Sequence, residues 1–181
     1  MTTPAVEKAI REDYSPEPFF FRQEYEPGAE RWVAWTNTQD RLRELYYRVL
    51  DCFPSMVEIL CKLEREGQVE QGGDPWLRYH GVCQLDNLTS AIRKNEDWVF
   101  QDGGSQLCVR CAGGGDYLVL DEHGILFFYS DDNGFRDLCQ ELGFEERAEP
   151  LLYESGHWHY RAGRNESWEP FLRQLGLHAV S

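Results

Sequence analysis

Ser55-Met56-Val57-Glu58-Ile59-Leu60-Cys61-Lys62-Leu63-Glu64-Arg65-Glu66-Gly67 is the stretch whose assignment decides the fold. Ser55 and Glu58 stand at capping-box spacing, a hydroxyl acceptor followed three residues later by a carboxylate. Met56, Ile59, Leu60 and Leu63 recur at helical spacing. Gly67 falls where a helix ends in a left-handed residue. The pattern predicts a helix. Just upstream, Leu42, Leu45, Tyr46, Val49 and Leu50 predict another, with N-caps offered by Thr36-Asn37-Thr38 and a Thr36/Gln39 capping box. Pro54 separates the two, which implies a pair of antiparallel helices or one sharply kinked helix.

Toward the N-terminus, residues 1–18 are polar and hold Pro4, Pro16 and Pro18, the composition of a short helix or a mobile arm. Phe19 to Tyr25 and Arg31 to Trp35 then read as extended runs joined by Pro27-Gly28, which is turn chemistry. Toward the C-terminus, residues 68–75 are polar and glycine-rich and offer the best internal boundary. Asp86 caps a short helix to Asn95. Trp98-Val99-Phe100, Gln106 to Ala112, Tyr117 to Leu120 and Ile125 to Tyr129 read as short strands punctuated by glycine turns, the signature of an antiparallel meander. A helix through Phe135, Leu138 and Leu142 follows. The expected fold is a single α+β domain over 1–181. It has a mostly antiparallel sheet of four to five strands, helices on one face and an N-terminal helical pair. The apolar members of the periodic segments, including Leu42, Leu45, Val49, Ile59, Leu60, Leu63, Leu118, Leu120, Leu138, Leu142, Phe171 and Leu175, form the expected core.

An internal echo runs through the C-terminal half. Leu138, Leu142-Gly143-Phe144 and Phe171, Leu175-Gly176-Leu177 align at an offset of 33, and Phe135 maps onto Trp168. Each copy predicts a helix closed by a glycine with an apolar residue behind it. The reading is one structural solution used twice at one edge of the sheet.

Composition bounds the function. With 41% hydrophobic residues in 181, the chain can bury roughly 70% of its unfolded surface without a metal or disulfide staple. The start lacks an apolar signal region, and no window reaches the roughly 18 apolar residues of a membrane span. A cytoplasmic protein with no membrane role is expected, and its six cysteines are then expected as thiols. The CxxC of Cys108 and Cys111 lies in an extended run. Alternation sends its two thiols to opposite faces, so neither a disulfide nor a redox pair is expected. Gly113-Gly114-Gly115-Asp116 lacks the Lys and Ser/Thr of a phosphate loop and reads as a hairpin. Basic clusters interleaved with aromatics are missing, which disfavours nucleic acid.

Two features remain. His157 and His159, two apart on an extended run, share a face and are the weak candidates for a metal; a strand with Trp158 and Tyr160 turned inward explains them equally. The second feature is charge. Between Asp121 and Glu154 ten acidic residues meet only Arg136 and Arg147, so this stretch holds −8 of the chain's net −14. Such a field attracts basic partners. The strand-turn-strand-helix pattern from Gly115 to Phe144, with its acidic face, resembles small bacterial immunity and inhibitor proteins. The resulting expectation is a non-enzymatic acidic protein-binding module without a cofactor. Asp131, Asp132, Asp137, Glu141, Glu145 and Glu146 would engage a basic protein partner. The alternatives are a small metal-dependent enzyme built on His157 and His159, and a structural homo-oligomer that buries Phe19-Phe20-Phe21 at its interface.

Overall fold

Val57, Ile59, Cys61 and Leu63 are buried, while Glu58, Leu60, Lys62 and Glu64 between them are half-buried, so this stretch has a period of two. It is a strand and not a helix. The computed structural model describes residues 17–36, 38–64, 74, 76–101, 103–130, 133–148 and 165–180. Their strands are β1 (Phe19–Glu26), β2 (Ala29–Trp35), β3 (Met56–Glu64), β4 (Trp76–Gln84), β5 (Ser105–Cys111), β6 (Tyr117–Leu120), β7 (Leu126–Tyr129), β8 (Glu145–Glu146) and β9 (His178–Val180). The helices are α1 (Gln39–Leu50), α2 (Leu85–Lys94), α3 (Glu96–Val99), α4 (Gly134–Glu141) and α5 (Asn165–Gln174).

The strands form one nine-stranded sheet in the order β8-β1-β2-β7-β6-β5-β3-β4-β9. The sheet is mixed, because β8 runs parallel to β1 while the other pairings are antiparallel. This corrects the expected four- to five-stranded sheet with an N-terminal helical pair. Met56, Ile59, Leu60 and Leu63 satisfy a helical stripe, but Val57, Ile59, Cys61 and Leu63 satisfy alternation equally well. Tertiary pairing decides between them. β3 is an interior strand, with nine register pairs to β4 and seven to β5. Ser55 caps nothing; its carbonyl accepts from the Leu85 N–H at 2.8 Å. Leu60 consequently points away from the helices and is only partly buried, unlike the other residues of the expected core.

Other local expectations are refined in the same way. α1 is capped by Thr38, whose hydroxyl accepts from the Arg41 N–H. Trp98-Val99-Phe100 is not extended. The Val99 N–H reaches the Asn95 carbonyl at 3.0 Å and the Phe100 N–H reaches that of Glu96 at 3.2 Å, closing a helical turn. That turn sets Phe100 edge-on against Tyr46 and Tyr47. β4 is a strand the sequence pattern hides, since Gly81 interrupts it. A Cβ there would stand 2.7 Å from Leu177 Cδ2, so glycine permits the close approach of the C-terminal segment. Residues 68–73 and 75, like 1–16, lie outside the described residues. The strands flanking 65–75, β3 and β4, pair along their whole length.

Apolar side chains of α1, α2, α4 and α5 pack with Phe20, Trp32, Val57, Ile59, Leu107, Val109, Leu118, Leu126 and Phe128 into one large core. The opposite face of the sheet carries a second cluster of Phe19, Phe21, Val33, Trp35, Cys108, Val119, Ile125 and Phe127. Phe19, Phe20 and Phe21 are at most 2% exposed and divide between the two clusters. This triplet is spent inside the chain, and it offers no surface for an oligomer contact. Cys108 belongs to the second cluster and Cys111 packs against the first, so the CxxC thiols do lie on opposite faces. All six cysteines are free.

Candidate functional site

Three places on this frame gather chemistry. The first is the acidic margin predicted from charge. Asp137 and Glu141 lie one turn apart on α4, and Glu145 and Glu146 form β8; all four are exposed. Each of three carboxylates meets a guanidinium. Arg48 of α1 reaches both oxygens of Glu141 at 3.1 Å. Arg136 donates to Glu146 at 2.8 and 2.9 Å, and Arg147 pairs with Glu145. Arg41 of α1 donates to the Leu142 carbonyl at 2.8 Å, satisfying the end of α4. Asp137 has no ion pair among the described residues. The linear stretch is strongly acidic, but folding brings two arginines of α1 against it and weakens its field. Asp131, Asp132, His157 and His159 lie outside the described residues.

The second place is the hairpin turn Asp121-Glu122-His123, whose ligand atoms all lie within 4.8 Å of one another. The three side chains could approach one metal ion. In the protein as folded they hold the turn. Asp121 Oδ1 accepts from the backbone N–H groups of His123 and Ile125 at 2.9 and 2.7 Å, and Oδ2 meets His123 Nδ1 at 3.0 Å. Glu122 accepts from Gln106, which accepts from Lys62. Burial pushes the Asp121 carboxyl above its ordinary range, against the pull of His123 and the Ile125 N–H. For His123, burial lowers the imidazole but the Asp121 carboxylate outweighs it, and the net shift is upward. The Asp121–His123 contact thus opposes the desolvation that either charge would meet in this turn.

The third place was not found from the sequence. On the face opposite the helices, register aligns Glu58 of β3 with Arg110 of β5, Arg110 with Tyr117 of β6, and Tyr117 with Tyr129 of β7. Side chains directly opposite across antiparallel strands share a face, so these four form a row. Tyr117 and Tyr129 stack with centroids 4.6 Å apart, and Tyr25 meets Tyr129 edge-on at 5.1 Å. Arg31 donates to the Tyr129 hydroxyl at 2.7 Å and to Gln23, and its guanidinium sits 4.1 Å from the centroid of Phe127. A cleft of about 860 Å³ opens over Glu58, Arg110, Tyr117, Tyr129, Tyr25 and His80. Beneath it, burial pushes the Cys108 thiol up to about 11 and raises the Tyr117 phenol as well. Near neutral pH both stay protonated, so Cys108 is a poor nucleophile.

The signal for this cleft was present as alternation. Glu58 and Arg110 interrupt apolar strands with a charge. The helical assignment of Met56 to Leu63 hid it by giving Glu58 a capping role. No protein family, curated protein or solved structure compared with this chain matches it.

Proposed function

We propose that this protein is a non-catalytic binding module whose α4–β8 margin receives a basic protein partner, in the manner of an immunity or inhibitor protein. The observation that supports the reading is the fixed array of carboxylates along that margin. Glu141 and Glu145 keep 63% and 61% of their side chains in solvent while Arg48 of α1 and Arg147, just past β8, pair with them. Exposed pairs of this kind contribute only about 0–1 kcal/mol each. A partner's lysines and arginines can therefore replace Arg48, Arg136 and Arg147 at little cost and find the carboxylates already positioned. Asp137 offers a carboxylate with no ion pair to break among the described residues, and Asp131 and Asp132 complete the proposed set.

The test begins with capture of partners at low and high salt, followed by affinity measurement on the protein recovered. Reversal of Asp137, Glu141, Glu145 and Glu146 to lysine should abolish binding. Association by the wild type should slow as ionic strength rises, because exposed charges are screened over a Debye length of about 8–10 Å near physiological salt. Unchanged affinity with an unchanged salt slope would assign the charge to solubility alone.

A further inference from the structure

We propose that the cleft on the sheet face opposite the helices binds a small zwitterion carrying an aromatic ring. The ligand is an aromatic α-amino acid, free or as a dipeptide, seated between Glu58, Arg110 and the Tyr117/Tyr129 stack. This goes beyond the proposed partner margin, which uses none of these residues.

The first observation is an unused pair of charges. Of the eleven described arginines, eight have a carboxylate within 4 Å: Arg22, Arg41, Arg43, Arg48, Arg78, Arg136, Arg147 and Arg173. Arg93 lies over the Tyr47 ring, and Arg31 is held by Gln23, Tyr129 and Phe127. Among the described residues the Arg110 guanidinium alone has no carboxylate, hydrogen-bond or ring partner. The Glu58 carboxylate, directly opposite in register and on the same face, has none either. Adjacent strands stand about 4.8 Å apart, so two opposite charges sit side by side without closing on each other. A ligand that carries a carboxylate and an ammonium a few ångströms apart, as an amino acid or a short peptide does, satisfies both at once.

The second observation is the aromatic floor beside them. Tyr117 follows Arg110 in register and stacks on Tyr129. Arg31 pins the Tyr129 hydroxyl and places its guanidinium within 6 Å of the Tyr25 and Tyr129 centroids. The cation-binding position of this cluster is thus filled from within the chain, which argues against a simple cationic ligand. A simple anion is disfavoured too, since Glu26 and Glu58 both line the cleft against the single guanidinium of Arg110. A neutral ring flanked by both charges is what remains. The cleft, about 860 Å³, falls in the size range of small-molecule sites and has room for a dipeptide.

The test is calorimetric titration of the full chain with four probes: L-tryptophan, the dipeptide glycyl-tryptophan, tryptamine and indole-3-propionate. The last two lack the carboxylate and the ammonium respectively. The zwitterions should bind, and each singly charged probe should bind about tenfold more weakly, the value of one charge-assisted contact. Arg110→Gln should weaken tryptophan about tenfold and leave tryptamine unchanged. Glu58→Gln should weaken tryptophan equally and leave indole-3-propionate unchanged. Neither side chain has a partner to lose among the described residues, so both variants should melt with the wild type. Tighter binding of the dipeptide than of tryptophan would support the same site and name the larger ligand. The proposal is overturned if neither zwitterion gives heat at millimolar concentration, if a singly charged probe matches tryptophan, or if binding ignores both substitutions.

Discussion

At one margin of the sheet α4 ends at Gly143 and feeds β8; at the other α5 ends at Gly176 and feeds β9. The two helix ends are built alike. Gly143 and Gly176 have φ of 77° and 65°, a region that costs other residues backbone strain. The next N–H, from Phe144 or Leu177, reaches back to Cys139 or Leu172 at 2.9 or 2.8 Å, while the glycine N–H reaches Gln140 or Arg173. This is the Schellman arrangement, with its apolar residue tucked under the helix. The strands that follow differ. β8 lies parallel to β1 and is flanked by ion pairs, whereas β9 lies antiparallel to β4 over a glycine that makes room for Leu177. The internal echo therefore marks opposite margins of the sheet and not one edge. A local motif sets how a helix stops. The direction and chemistry of the next strand are set by the edge that receives it.

The likeness can be broken most forcefully at its aromatic anchors. Trp168 is fully buried and its counterpart Phe135 nearly so, so Trp168→Ala and Phe135→Ala should each cost about 3–5 kcal/mol in urea unfolding. A loss below about 1 kcal/mol at either site would show that the two helices do not anchor their margins equally. Gly81→Ala probes a feature that only the β9 margin has. Overpacking against Leu177 should cost about 1–3 kcal/mol, and a wild-type melting temperature would mean that Leu177 does not press on β4. Gly143→Ala and Gly176→Ala sharpen the shared part. Neither added Cβ meets an atom within 4 Å, so only backbone strain remains, about 1–2 kcal/mol and equal at both sites. Unequal losses would separate the motifs. The smallest effect belongs to charge. Arg136→Gln should cost no more than about 1 kcal/mol at low salt and nothing at high salt, since the Arg136–Glu146 pair is exposed. A loss that persists in high salt would make that ion pair a structural part of the β8 margin.

The candidate sites were legible to different degrees for physical reasons. The acidic margin is written contiguously, so its charge could be read directly. Its neutralisation by Arg41 and Arg48 could not, because those residues lie about a hundred positions away in the chain. The cleft is assembled from residues of β1, β3, β4, β5, β6 and β7. Each looks like an ordinary member of an alternating strand until register sets Glu58, Arg110, Tyr117 and Tyr129 in one row and the sheet brings Tyr25 and His80 beside them.

Sequence by itself determined the elements whose cause is local. The Phe19-to-Trp35 hairpin follows from Pro27-Gly28, α1 from its stripe and its threonine caps, and the meander β5-β6-β7 from alternation between glycine turns. The paired helix ends follow from glycines that alone tolerate their φ. Tertiary structure decided the rest. Met56 to Glu64 fits both periods, and it is a strand because β4 and β5 satisfy its backbone on both sides. β8 and β9 are too short to carry a period and exist because β1 and β4 present open edges. Hydrogen bonds across a sheet join residues distant in sequence, and no local pattern encodes which edge will be free.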